Sequence, residues 1–182
     1  MPPAHAPQPS PSRMVDFAGR SAVVGIVPGQ PELVALTAAS LARAVGAPKL
    51  YFAYVDTSRF VSEEHADGTV RHMAVDPDGV DDTWQETERE LSAFLSSVLA
   101  DADVRWEFRY LAGRPDRSLT HLARAVGAAV IIVGTRTPGQ GARMREFLSG
   151  SVALQLSHHQ HRPVLTVPLS IVDWKTRPPW EE

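Results

Sequence analysis

The 182-residue sequence contains no cysteine. Disulfides, thiolate catalysis and Cys-based zinc sites are therefore excluded. It also lacks any excess of positive charge: 18 Lys and Arg stand against 21 Asp and Glu, a formal net charge of −3. Duplex-binding proteins are usually basic with a clustered patch, so nucleic acid is not an expected partner. No apolar run approaches the roughly 20 residues that cross a bilayer, and no membrane association is expected. The N-terminus has no apolar core of the kind a secretory signal needs, which makes the cytoplasm the expected location. The local signatures of hydrolases, GxSxG and HExxH, are missing. So is the GxxxxGK[ST] phosphate loop, and no GxGxxG follows the first apolar strand.

What is present reads as one ordinary globular domain, with 43% hydrophobic and 21% charged residues. The most informative stretch runs from Ala129 to Pro168. Val130-Ile131-Ile132-Val133 is a continuous apolar run bounded by Gly134. Such a run predicts a strand buried on both faces of a parallel sheet. A loop with Gly134, Gly139, Gly141 and Gly150 follows, and Val152 to His159 has helical spacing. Pro163 ends that helix, and Val164 to Val167 forms a further strand. A loop feeding a helix N-terminus presents unpaired N–H groups and the positive end of the helix dipole, the usual way α/β proteins hold phosphate. A flexible connection is the plainer reading of the same glycines.

Earlier in the chain, residues 21–27 predict a first strand, Leu33 to Val45 a helix capped by Gly46, and residues 49–55 a second strand. Residues 57–82 are polar and acidic, with DG and DPDG turn signals. They read as a long unstructured insertion, either a solvated surface loop or a flap over a cleft. Residues 83–99 predict an amphipathic helix. Residues 104–111 alternate as an edge strand does, and residues 117–126 predict a helix closed by Gly127. Residues 1–19, with five prolines in the first eleven, read as a disordered tail. Residues 20–168 form the domain and 169–182 a C-terminal extension. His158, His159 and His161 suit the negative end of the last helix, so no metal site is expected.

Three pieces, VIIVGTR, GSVALQL and HRPVLTVP, with VPGQPE near the front, resemble the universal stress protein family. Its usual form is strand, G-x2-G-x9-G-[ST], helix, CPVLVV strand. The resemblance implies a doubly wound α/β fold of the adenine nucleotide alpha hydrolase type. It would have a five-stranded, mainly parallel sheet of order 3-2-1-4-5 and about four helices. It implies binding of ATP or another adenine nucleotide such as AMP, with Mg²⁺ only alongside ATP. The ligand would meet backbone groups of Gly134, Thr135, Arg136, Gly139, Gly141, Gly150, Ser151 and Val152. Val27 and Val55 would flank the adenine, and the Ser151 hydroxyl would reach phosphate. A homodimer through the last strand, Pro163, Val164, Leu165, Thr166 and Val167, is implied as well, and it would cover an apolar edge.

The sequence departs from the family pattern at Ala129, where the family often has an Asp, and at two positions that bear on the site. The carboxylate expected at the end of the first strand falls on Pro28, with Asp56 as the nearest replacement. The second glycine falls on Thr137, in a loop three residues longer than usual. These departures leave open a second reading, a non-binding dimeric scaffold acting through protein partners. An enzyme of a related adenine-nucleotide superfamily is disfavoured, because the SGGxDS loop is missing. No catalytic residue is assigned, and any ATP hydrolysis would be slow and incidental.

Overall fold

The structure, a computed structural model, describes residues 10–76, 83–135 and 151–169. Its centre is a five-stranded parallel sheet built from β1 (Ala22–Gly25), β2 (Leu50–Asp56), β5 (Trp106–Ala112), β6 (Val130–Gly134) and β7 (Val164–Val167). The strands lie in the order β5-β2-β1-β6-β7, the expected 3-2-1-4-5 arrangement. Helices α1 (Leu33–Val45), α2 (Thr83–Val98), α3 (Pro115–Ala125) and α4 (Ser151–His159) cover its faces. Among the described residues no helix is long and apolar enough to cross a membrane.

The period-2 geometry of the strands splits the core in two. Val24, Ile26, Leu50, Phe52, Val130 and Ile132 face one way and pack with Val34, Ala38 and Ala42 of α1 and Leu91 and Leu95 of α2. Val23, Ala53, Val55, Ile131 and Val133 face the other way, against Leu119 and Leu122 of α3 and Val152 and Leu156 of α4. Burial on both faces explains why β1 and β6 read as unbroken apolar runs.

One expectation is overturned. The polar segment after β2 is not an unstructured insertion. It forms an antiparallel hairpin of β3 (Arg59–Glu64) and β4 (Val70–Ala74), and only residues 77–82 of the stretch lie outside the described residues. The DG signal is its turn. His65 N–H donates to the Thr69 carbonyl (2.9 Å), Gly68 N–H to the His65 carbonyl (3.0 Å), and Gly68 has a φ of +83°. That is a three-residue connection with its glycine in the left-handed region. Asp67 Oδ1 accepts from Thr69 N–H and from the Thr69 hydroxyl, and these bonds hold its carboxyl below the usual range.

The hairpin lies along β5, the edge of the sheet. Its tip reaches α3, where a Cβ on Gly68 would stand 2.7 Å from Leu122 Cδ1. At its base Arg59, 6% exposed, donates from Nε to His72 Nδ1 at 2.7 Å and lies over the Trp84 ring. Trp84 meets His72 edge-on and Tyr110 lies tilted against it, with ring centroids 5.0 and 5.3 Å away. An open strand edge is a liability for non-specific pairing, and the hairpin covers this one with side chains. The outer face of the ribbon is exposed, and the Phe60–Met73 pair lies on it.

Candidate functional site

Chain direction places the site. From β1 the chain moves outward through β2 to β5, then returns to β6 on the opposite side of β1. The strand order therefore reverses between β1 and β6. In open parallel sheets the crevice at the carboxyl ends of the strands at such a point is where ligands bind. Val27 lies beyond the carboxyl end of β1, Val55 near that of β2, and Gly134 and Thr135 at that of β6. The N-terminus of α4 belongs to the same end, since the last residues of that helix, His158 and His159, lie beside Ala128 and Ala129 at the amino ends of the strands.

The backbone here is tightly connected. Ile26 N–H donates to the Ala53 carbonyl (2.9 Å) and Thr135 N–H to the Val167 carbonyl (2.8 Å). The Thr135 hydroxyl oxygen accepts from Leu169 N–H at 2.8 Å, which leaves its own O–H available as a donor. The side chains of Val27, Val55 and Val152 are buried in the core. Whatever they contribute to a site, they contribute by shaping its floor. Arg136, Gly139, Gly141 and Gly150, together with Thr137, lie outside the described residues. Ser151 is the first residue of α4.

Two polar residues stand at this end of the sheet, just past β1 and at the end of β2. Asp56, the carboxylate nearest to replacing the one missing at Pro28, is already engaged. Its Oδ1 accepts from Ser58 N–H (2.9 Å) and Ser58 Oγ–H (2.6 Å), and its Oδ2 from the Tyr110 hydroxyl (2.6 Å). It ties β2 to β5 and to the start of the hairpin. Burial, followed by this hydrogen bond and the negative charge of Asp56, raises the Tyr110 phenol far above its ordinary value, so it stays a donor.

The second residue is Gln30, which sequence patterns did not single out. It sits in the turn after β1, between Pro28 and Pro31, and is 5% exposed. Its Oε1 accepts from Val27 N–H at 3.0 Å. Its Nε2 is buried without a hydrogen-bond partner. That nitrogen lies over the bare Cα of Gly134, where a Cβ would stand 2.7 Å from Gln30 Nε2, 2.7 Å from Leu169 Cδ1 and 3.1 Å from Val34 Cγ2. Glycine at 134 is thus required by close approach. A polar residue between two prolines was the only local signal for Gln30, and nothing in spacing links it to Gly134.

Residues 22–168 match the model of the universal stress protein family. The chain belongs to that family. Similar solved structures agree in fold. A universal stress protein from Archaeoglobus fulgidus superposes with a TM-score of 0.56 at 19% identity, over 82% of this chain and 94% of that one. The same organism's protein in complex with dAMP gives 0.55 at 20% identity, over 81% and 97%. A universal stress protein in complex with cAMP gives 0.52 at 22% identity, over 84% and 99%. No curated protein sequence matches the chain.

Within this universal stress protein, clefts of about 800 and 900 Å³ open at the other end of the sheet. Arg13, Arg20, His158, His161 and Arg162 line the first, before β1 and β6. His159 Nδ1 is 2.9 Å from the Gln155 carbonyl, as a residue capping the last turn of α4 would be. Arg162 donates from Nε to the Ala128 carbonyl (2.7 Å), and burial, then Arg124, lowers its pKa. These groups close the amino ends of the strands, away from the strand-order reversal.

Proposed function

We propose that this universal stress protein is a regulatory protein acting in stress response. In this reading it binds ATP or another adenine nucleotide in the crevice between β1 and β6, by binding and not by turnover. The observation that carries the reading is the convergence at one sheet end of the β1–β6 reversal, Gly134-Thr135 and the start of α4. The Thr135 O–H and the first N–H groups of α4 supply donors suited to phosphate, with the backbone of Gly139, Gly141 and Gly150 and the hydroxyl of Ser151 as further donors. Val27 and Val55 form the floor beneath the base. Mg²⁺ enters only with ATP. That universal stress proteins of the same fold have been solved in complex with cAMP and dAMP supports an adenine nucleotide as the first ligand to test.

The proposal includes a cytoplasmic homodimer formed through β7. Among the described residues that strand pairs only with β6, so one edge remains for a second copy.

A second reading is a nucleotide-free scaffold acting through a protein partner. A specific observation favours it: Gln30, Leu169 and Val34 fill the space over Gly134. Thermal melting with millimolar ATP and Mg²⁺, AMP or GTP separates the two. A ligand at about 100 times its Kd adds about 2.7 kcal/mol to the native state, or roughly 5–10 °C in a chain of this size. A shift with adenine nucleotides is expected. Unchanged cooperative melting in every nucleotide would overturn the binding reading in favour of the scaffold.

A further inference from the structure

A buried amide with one end bonded and the other idle is unusual. Leaving a donor buried and unpaired carries a desolvation cost that most native groups avoid. Gln30 carries such a group. Its orientation is fixed by chemistry: Val27 N–H is a donor and must meet the amide oxygen, so the NH₂ end is the free one. The free end lies over Gly134, at the strand-order reversal, where the neighbouring atoms of Val34 and Leu169 are apolar and offer no acceptor. Pro28 beside it carries no side-chain acceptor, and Asp56 is held by Ser58 and Tyr110.

We infer that Gln30 is a ligand-binding residue, whose Nε2 donates a hydrogen bond to an uncharged acceptor on the base or sugar of the bound nucleotide. This rests on the nucleotide reading above and gives it a polarity. A side chain that presents only donors selects a ring nitrogen or a ribose oxygen and does not read an amino group. Because the same amide holds Val27, which the nucleotide reading puts beneath the base, the contact is assigned to the nucleoside end of the ligand and not to phosphate.

The test measures ATP, AMP and inorganic tripolyphosphate binding by calorimetry for the wild type, Gln30→Met and Gln30→Glu. Gln30→Met removes the donor together with the oxygen that accepts from Val27 N–H, so Gln30→Glu, which keeps that oxygen, is its control. Gln30→Glu keeps an oxygen for Val27 N–H and turns the free end into an acceptor. Loss of one neutral hydrogen bond is expected to raise the ATP and AMP Kd about three- to tenfold in Gln30→Met. Gln30→Glu should lose more, and tripolyphosphate binding to Gln30→Met should stay within about twofold of wild type.

Nucleotide affinity within twofold of wild type in both variants overturns the inference and leaves the nucleotide reading standing. Equal loss of tripolyphosphate binding in Gln30→Met also overturns it, because Gln30 would then act through the fold. A wild type that binds no nucleotide removes both. Should the variants fail to fold, the wild-type side-chain amide signal of Gln30 in an ¹⁵N–¹H spectrum decides. It is expected to move as ATP is added, and a stationary signal in a protein that binds ATP overturns the assignment.

Discussion

Replacing Tyr110 by Phe removes one hydroxyl and leaves the ring in its aromatic cluster. The ring packs against Tyr54, His72 and Trp84, with centroids 5.4, 5.3 and 5.7 Å away. The lost bond is a 2.6 Å donation to Asp56 Oδ2. Hydrogen bonds to a charged group contribute about 1.5–3 kcal/mol. Asp56 is half-buried and keeps both Ser58 donors, so water can replace part of the loss, and the expected cost is about 1–2 kcal/mol at pH 7. In a chain of this length that is roughly 2–8 °C in Tm.

Alkali gives a sharper test of the same bond. The folded-state phenol is raised above its ordinary value of 10.0, by burial first and the Asp56 bond second. A raised pKa means the stabilisation is fully present below the unfolded value and is lost as pH rises above it. Each pH unit past about 10 costs up to about 1.4 kcal/mol for one proton. The advantage of wild type over Tyr110→Phe should therefore be constant from pH 7 to 9 and nearly gone by pH 11. Urea titrations of both proteins across that range measure it. A difference that stays flat to pH 11, or one below about 0.3 kcal/mol at pH 7, would refute the reasoning.

Two further perturbations test the frame around the site. Gly68→Ala places a Cβ at a φ of +83° and within 2.7 Å of Leu122 Cδ1 and 3.1 Å of Ala125 Cβ. A left-handed alanine alone costs about 1–2 kcal/mol, so a loss of about 2 kcal/mol or more is expected in urea. A loss under about 0.5 kcal/mol would show that the hairpin tip does not rest on α3. Light scattering at micromolar concentration is expected to give a dimer for the wild type and a monomer-shifted population for Thr166→Lys, an exposed position on β7. A monomeric wild type ends the proposal of pairing through that strand.

The parts of the fold that rest on local, repeated signals were legible. Helix α1 runs from Leu33 to Val45 as its Ala/Leu period indicates, and Gly46 N–H closes it on Ala42 and Arg43 carbonyls. The apolar run of β6 and the alternation of β5 indicated an inner and an edge strand, the apolar run of β7 indicated a strand, and the order of the strands came from the family resemblance. Helix α3 begins at Pro115, two residues before the apolar period shows, because proline at the first helical position forfeits no intrahelical bond. The hairpin escaped because its sequence looks like a loop. Its inner residues include Arg59 and His72, which bury by bonding to each other and stacking on Trp84. Asp67-Gly68 alone marked the turn. Gln30 escaped for a different reason: its bond to Val27 is local, but its idle end acquires meaning only from Gly134, brought alongside by the pairing of β1 with β6.

That pairing also explains how the chain can lack a carboxylate at Pro28 without lacking a polar group at the crevice. Gln30 satisfies the Val27 N–H from within the turn and commits its acceptor in doing so. What remains at the end of β1 is a donor, opposite in polarity to the missing carboxylate. Left unpaired and buried, it costs the ligand-free protein about 1–3 kcal/mol. A ligand atom that accepts from it recovers part of that cost on binding, about three- to tenfold in affinity. The same ligand would also have to displace or pass Leu169, whose side chain shares the space above Gly134. Affinity at this site is therefore set by the balance between an idle donor that favours a ligand and an apolar side chain that competes with one. Under the Gln30 assignment, shortening Leu169 and removing the Gln30 donor should move affinity in opposite directions.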